Sequence, residues 1–247
     1  MSSKIIVIGE PLQTEIGGKR FYRVELVDEH GNHFFKYLRS VTTICKGARL
    51  PSFLDTWQNE QIEALGVKGF YEALDSKAHD GTVMHKFIED HVNGKEVNRR
   101  SLVTLDDGKQ YAFDDDTWPM FEGYLAWEEK RKPESIWQEK TVYSLKHGYA
   151  GRADRLAIID GLRTVIDYKS AKRPQDDHKQ QGSAYLMAIN EMGEDCEQIL
   201  ILCLGNDEKR KQPYTESIIK NPHDIHNYFM SFYLKNQLVS WCNPVFI

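Results

Sequence analysis

In the stretch Gly151-Arg-Ala-Asp-Arg-Leu-Ala-Ile-Ile-Asp-Gly-Leu-Arg-Thr-Val-Ile-Asp-Tyr-Lys-Ser170, two apolar runs each carry an acid. Asp160-Gly161 between them is a favoured two-residue hairpin loop. With Ile159 opposite Leu162, counting outward along both strands brings Asp154 directly across from Asp167, on one face of the hairpin. Opposed residues have Cβ atoms about 4.5–5.5 Å apart, and like charges there are destabilising, the more so beside Leu156 and Val165. Lys169 projects to the same side by the period-2 rule, but one ammonium cannot balance two carboxylates. A hard divalent cation with oxygen ligands can, so the pair reads as a Mg²⁺ or Mn²⁺ site. The competing reading is a surface hairpin edge with a solvated Asp/Lys pair.

Two helical stretches flank this hairpin. In GTVMHKFIED, His85 and Glu89 stand four apart and share a helix face, while Gly81 allows that helix to approach another backbone. A lone histidine on such a helix is ordinarily a satisfied core or surface residue. In QQGSAYLMA, Gln181 and Tyr185 are likewise four apart, on a helix that starts just after Asp167-Tyr168-Lys169, so an amide and a hydroxyl can orient a phosphate or a water without adding charge.

An acid followed after a short interval by Asp-x-Lys on the next strand resembles the active site of the PD-(D/E)XK nuclease superfamily. GTVMHKFIED resembles the Gly-Thr-x-x-His motif of its RecB-type members, and QQGSAYLMA their Gln-x-x-x-Tyr motif. With SVTTI and EKTVYS, the pattern is similar to the branch that holds the mitochondrial genome maintenance exonuclease and its phage and bacterial relatives, over roughly residues 40 to 190. The resemblance implies a restriction-endonuclease-like α/β core, a central mixed β-sheet flanked by helices, with an N-terminal β-rich and helical elaboration. It implies a metal-dependent exonuclease in which His85, Asp154 and Asp167 hold the ion and Asp154, Asp167 and Lys169 are catalytic. Gln181 and Tyr185 would position substrate; Glu139 matches the preceding acid of the family, either as a supporting group or as an exposed strand residue. Asp167 stands where many members carry Glu.

Stepping outward along the chain, KIIVIG, FYRVELVD and HFFKYLRS read as strands, the last two joined at Glu29-His-Gly-Asn32. Apolar spacing predicts helices over Leu50–Leu65 and Gly69–Asn93, and another that follows Asp114–Asp116 and ends near Lys132. Strands follow at Ser135–Leu145, Tyr149–Ile159 and Leu162–Lys169, a helix at about Gln175–Met192, strands at Gln198–Leu204 and Tyr214–Ile219, and a helix from Asn221-Pro222 to about Trp241. The expected organisation is one nuclease domain over 1–247: a β-rich segment 1–39, a helical block 40–132, a catalytic core 133–205, and a strand and helix in 206–247.

No run of about 18 apolar residues is present, and the first residues lack a leader composition, so a cytoplasmic protein without membrane contact is expected. Cysteines 45, 196, 203 and 242 are scattered without a close Cys-x-x-Cys pair, which argues against disulfides and against an iron–sulfur cluster. No helicase motif and no nucleotide cofactor are expected. The net charge of −5, from 32 basic and 37 acidic residues, excludes a global basic face for duplex DNA. The expected partner is DNA, single-stranded by preference, with Phe53, Trp57, Phe70 and Tyr71 as candidate stacking aromatics. A flap endonuclease and a catalytically vestigial DNA end-binding module are the rival functions.

Overall fold

The structure is a computed structural model that describes residues 5–47, 53–207 and 211–242. The side chains of residues 53–57, 59 and 241–242 lie outside the described set. Strands β1 (Ile6–Ile16), β2 (Lys19–Val27) and β3 (His33–Ser40) form an antiparallel meander. After α1 (Val41–Gly47) and α2 (Phe53–Val92) come a small hairpin of β4 (Leu102–Thr104) and β5 (Gln110–Ala112), then α3 (Thr117–Arg131). The hairpin series β6 (Glu134–Ser144), β7 (Tyr149–Ile159) and β8 (Leu162–Lys169) leads through α4 (Asp176–Glu191) to β9 (Gln198–Cys203), β10 (Thr215–Ile219) and α5 (Pro222–Cys242).

Eight strands make one mixed sheet in the order β1-β2-β3-β7-β8-β9-β10, with β6 also on β7. The β3–β7 and β8–β9 pairs are parallel and the others antiparallel. Helices cover both faces, which is why β9 is apolar from Ile199 onward: Ile199, Ile201 and Cys203 enter one core with α4 and α5, and Leu200 and Leu202 the other with α2 and α3. Buried Arg155 belongs to the second side, donating to Tyr124 Oη at 3.1 Å and to the Pro133 carbonyl at 3.3 Å, with Glu128 3.4 Å away as its counter-charge.

The β6, β7 and β8 spans match the sequence reading within a residue. Asp160 and Gly161 both have positive φ, 53° and 79°, the backbone that a tight primed turn demands. The differences lie elsewhere. Val41–Gly47 is a helix where the β-branched run SVTTI only suggested the end of a strand region; burial of Val41, Ile44 and Cys45 in the α4–α5 core overrides propensity. β1 continues past KIIVIG to Ile16, through a bulge between Ile8 and Leu12 that accommodates Pro11. The two helices expected in 50–93 form one segment interrupted at Gly66 (φ 71°, ψ 163°), and the expected start at Leu50 lies outside the described residues. The β4–β5 hairpin, three residues per strand, falls below any sequence periodicity. Among the described residues no helix is long and apolar enough to cross a membrane. Cys45 and Cys196 are buried thiols outside any disulfide, and Cys203 is buried in β9.

Candidate metal and catalytic site

The β7–β8 register is the one the Asp160-Gly161 turn dictates, from Ile159 opposite Leu162 to Arg155 opposite Ile166. Main-chain pairing stops there, one step short of Asp154 and Asp167. The Tyr168 main-chain N–H donates instead to Asp154 Oδ2 at 2.7 Å, so the carboxylate takes the place of a ladder acceptor. Asp154 and Asp167 are 8% and 1% exposed.

Glu139 reaches Asp154 from β6. Its neighbours pair as Gln138 with Arg155 and Lys140 with Ala153, which sets Glu139 beside Asp154, and its φ of 49° is a left-handed backbone that a non-glycine residue adopts only under constraint. His85 comes from α2. Its Nε2 lies 3.1 Å from the Tyr168 carbonyl; a carbonyl only accepts, so Nε2 carries the proton and Nδ1 holds the lone pair in the neutral ring. Nδ1 is 3.6 Å from Asp154 Oδ1 and 4.0 Å from Glu139 Oε1. Gly81, one turn earlier on α2, brings the helix down onto Ser170: a Cβ there would stand 3.3 Å from Ser170 Oγ.

One ligand atom from each of His85, Glu139 and Asp154 lies within 4.8 Å of the other two. Asp167 belongs instead with Lys169, whose Nζ is 3.0 Å from Oδ1 and 2.7 Å from Oδ2. Only the Oδ1 contact has hydrogen-bond angles, and Asp167 Oδ2 is buried without a hydrogen bond. Lys169 also donates to Gln181 Oε1 at 3.1 Å, and Gln181 Nε2 donates to Tyr185 Oη at 3.0 Å. Gln181 and Tyr185 are both buried, in line behind the ammonium.

Electrostatics follow from burial and crowding. Burial lifts the Asp154 carboxyl above the usual range, with Glu139 adding to the rise and His85 opposing it. Burial likewise raises Asp167 against the pull of Lys169, with Asp154 contributing. Burial would lower His85, yet Asp154 and Glu139 outweigh it and push the imidazole up to about 9. Burial would also lower Lys169, but Asp167 and Asp154 hold it above the ordinary lysine range. The cleft therefore gathers carboxylates that need more positive charge than one lysine supplies. An imidazole nitrogen oriented by a carbonyl on its far nitrogen, two carboxylates within reach, and a nearby carboxylate oxygen without a hydrogen bond fit a hard divalent ion.

Some sequence candidates lie apart. Glu89 is occupied by Lys86 at 2.7 Å and is not in the His85 group. Phe70 is buried and Tyr71 is 54% exposed, while the side chains of Phe53 and Trp57 lie outside the described residues. Two residues escaped the sequence reading. Arg152, whose Nε is 2.8 Å from Glu139 Oε2, stands two positions before Asp154 on the same strand, a spacing that could have flagged it. His178, three before Gln181 on α4, accepts from the Gln175 main-chain N–H, and burial together with the Lys169 charge holds it below the usual histidine range.

A family model described as PD-(D/E)XK nuclease superfamily matches residues 57–228. No curated protein matches the chain. Among solved structures, the chain is similar to an alkaline exonuclease (LHK-Exo) from Laribacter hongkongensis, at TM-score 0.34 and 9% identity over 64% of this chain and 80% of that one. It is also similar to LHK-Exo in complex with dAMP, at TM-score 0.32 and 10% identity over 68% of this chain and 90% of that one.

Proposed function

Since the chain belongs to the PD-(D/E)XK nuclease superfamily, we propose that it is a divalent-metal-dependent DNA exonuclease that works from free ends of single-stranded DNA. The observation that carries this reading is the convergence of His85, Glu139 and Asp154 beside the Asp167–Lys169 pair. His85, Glu139 and Asp154 would hold Mg²⁺ or Mn²⁺, and Asp167, ion-paired with Lys169, is the further carboxylate beside them. When bound, such an ion polarises a scissile phosphate and lowers the pKa of the attacking water.

The chain's own residues do the rest. Lys169, kept cationic by Asp167, orients the attacking water and offsets charge that develops on the phosphorane. Gln181 fixes that ammonium, and Tyr185 fixes Gln181, so the pair positions the substrate through Lys169. The preference for single strands rests on the net charge of −5, which supplies no overall positive field for a duplex, and on exposed Tyr71 in α2 as a stacking surface. The domain is proposed to comprise the whole chain.

The test is Mg²⁺-dependent digestion of end-labelled single-stranded and duplex DNA by the wild type and Lys169→Ala. Stepwise loss of nucleotides from single strands, abolished by chelation and by Lys169→Ala, is the expected outcome. Cleavage near the wild-type rate by Lys169→Ala would sink the catalytic assignment, and internal cuts at branched junctions would favour a flap endonuclease.

A further inference from the structure

Glu139 reaches the metal cluster against the alternation of its strand. Successive strand side chains point to opposite faces, yet Gln138 and Glu139 both turn toward α2: Gln138 Nε2 donates to the Glu89 main-chain carbonyl at 3.1 Å, and Glu139 Oε1 lies 4.0 Å from His85 Nδ1. The left-handed φ of 49° at Glu139 permits this, and such a backbone persists only where its surroundings hold it. Arg152 is placed to do so. It pairs across β6–β7 with Thr141, two residues beyond Glu139, so Arg152 and Glu139 are diagonal neighbours within reach of a long side chain. Arg152 Nε is 2.8 Å from Glu139 Oε2, an ion pair in which the Glu139 side chain is 17% exposed and that of Arg152 53%. The two carboxylate oxygens are thus divided: Oε2 is the one nearest the guanidinium, and Oε1 the one nearest His85.

We propose that Arg152 is a positioning residue that sets which ion the cluster accepts: it holds Glu139 to one metal-facing oxygen and so favours a small octahedral ion, Mg²⁺ or Mn²⁺, over Ca²⁺. Mg²⁺ demands near-ideal octahedral geometry at about 2.0–2.1 Å, whereas Ca²⁺ takes about six to eight oxygens at about 2.3–2.6 Å and accepts a carboxylate through both of its oxygens. With Oε2 committed to Arg152, Glu139 offers a single oxygen; released from Arg152, it can turn and offer two. The guanidinium also supplies the countercharge that lets the Glu139 and Asp154 carboxylates converge, one ligand atom of each lying within 4.8 Å of the other. The inference rests on the metal site of the proposed nuclease, but ion binding without DNA tests it separately from cleavage.

The experiment titrates Mn²⁺ and Ca²⁺ into the DNA-free protein and reads both dissociation constants by calorimetry, with the melting shift as a second measure. Wild type is compared with Arg152→Ala, Arg152→Lys, Glu139→Gln and the double variant Arg152→Ala/Glu139→Gln. Arg152→Ala should weaken Mn²⁺ binding about 10- to 100-fold, the range for a lost partner of a metal ligand, and Ca²⁺ binding by less, so that the ratio of the two affinities falls about tenfold. Arg152→Lys, which keeps the charge on a flexible stem, should recover part of the loss and keeps the question open to measurement if the alanine variant folds poorly. Because Arg152 acts through Glu139, the double variant should bind Mn²⁺ no more weakly than Glu139→Gln alone. Unchanged Mn²⁺ affinity in Arg152→Ala, equal losses for Mn²⁺ and Ca²⁺, or additive losses in the double variant would each overturn the assignment while leaving the metal site standing. A wild type that binds neither ion would refute the metal site itself, and the role of Arg152 with it.

Discussion

Asp154→Asn separates metal binding from folding. In the metal-free protein Asp154 is buried beside Glu139 and near Asp167, and its carboxyl is lifted by that burial, so removing its charge relieves repulsion. The asparagine carbonyl can still accept from Tyr168 N–H, and His85 keeps Glu139 at 4.0 Å. The two effects nearly cancel, and the metal-free melting temperature should rise slightly or move by no more than about 2–4 °C, which is about 1 kcal/mol for a chain of this size. The bound state differs. Manganese at one hundred times its Kd stabilises a one-site protein by about 2.7 kcal/mol, or about 5–11 °C here. The wild type should show that shift and Asp154→Asn should lose most of it, measured by calorimetry or a dye-based melt over a Mn²⁺ series. Glu139→Gln and Asp167→Asn read the same way tell which second carboxylate completes the ligand set. A wild-type melting temperature indifferent to saturating Mn²⁺ would refute the reasoning at its root, and an undiminished shift in Asp154→Asn would move the site elsewhere.

Lys169→Ala should lower kcat by about 10²–10⁴-fold while keeping the Mn²⁺ melting shift; its metal-free fold should weaken, because Asp167, 1% exposed, loses its counter-ion. Because His85 is pushed up to about 9 when no ion is bound, and a ligand nitrogen must be unprotonated, Mn²⁺ binding near neutral pH should release close to one proton. The sign is fixed: affinity falls about tenfold per pH unit on the acid side of that value and levels off above it. Calorimetry in buffers of different ionisation enthalpy reads the proton directly, and its absence would exclude His85 as a ligand. Linear single-stranded DNA should disappear far faster than a covalently closed circle of the same sequence, and comparable loss of the circle would refute end dependence.

The hairpin was legible because its information is local. Asp160-Gly161 sets the turn, the turn sets the register, and the register brings the Asp154 and Asp167 strands together without reference to any distant residue. The same holds for His85 on one helix face and for Gln181 with Tyr185 on another, where spacing alone fixes which side chains share a direction. What each group then touches was not local. Glu139 turns toward Asp154 through a left-handed backbone that no propensity favours, and it persists only because β6, β7 and Arg152 constrain it. Asp154 takes the Tyr168 N–H and Asp167 takes Lys169, a division that depends on where pairing of β7 with β8 ends and where α4 supplies Gln181. Val41–Gly47 became a helix against its β-branched composition because α4 and α5 offered a core to fill. The sequence by itself determined which residues could do chemistry and along which elements they face; the tertiary structure decided which of them meet, because burial and charge balance are sums over segments that are far apart in the chain.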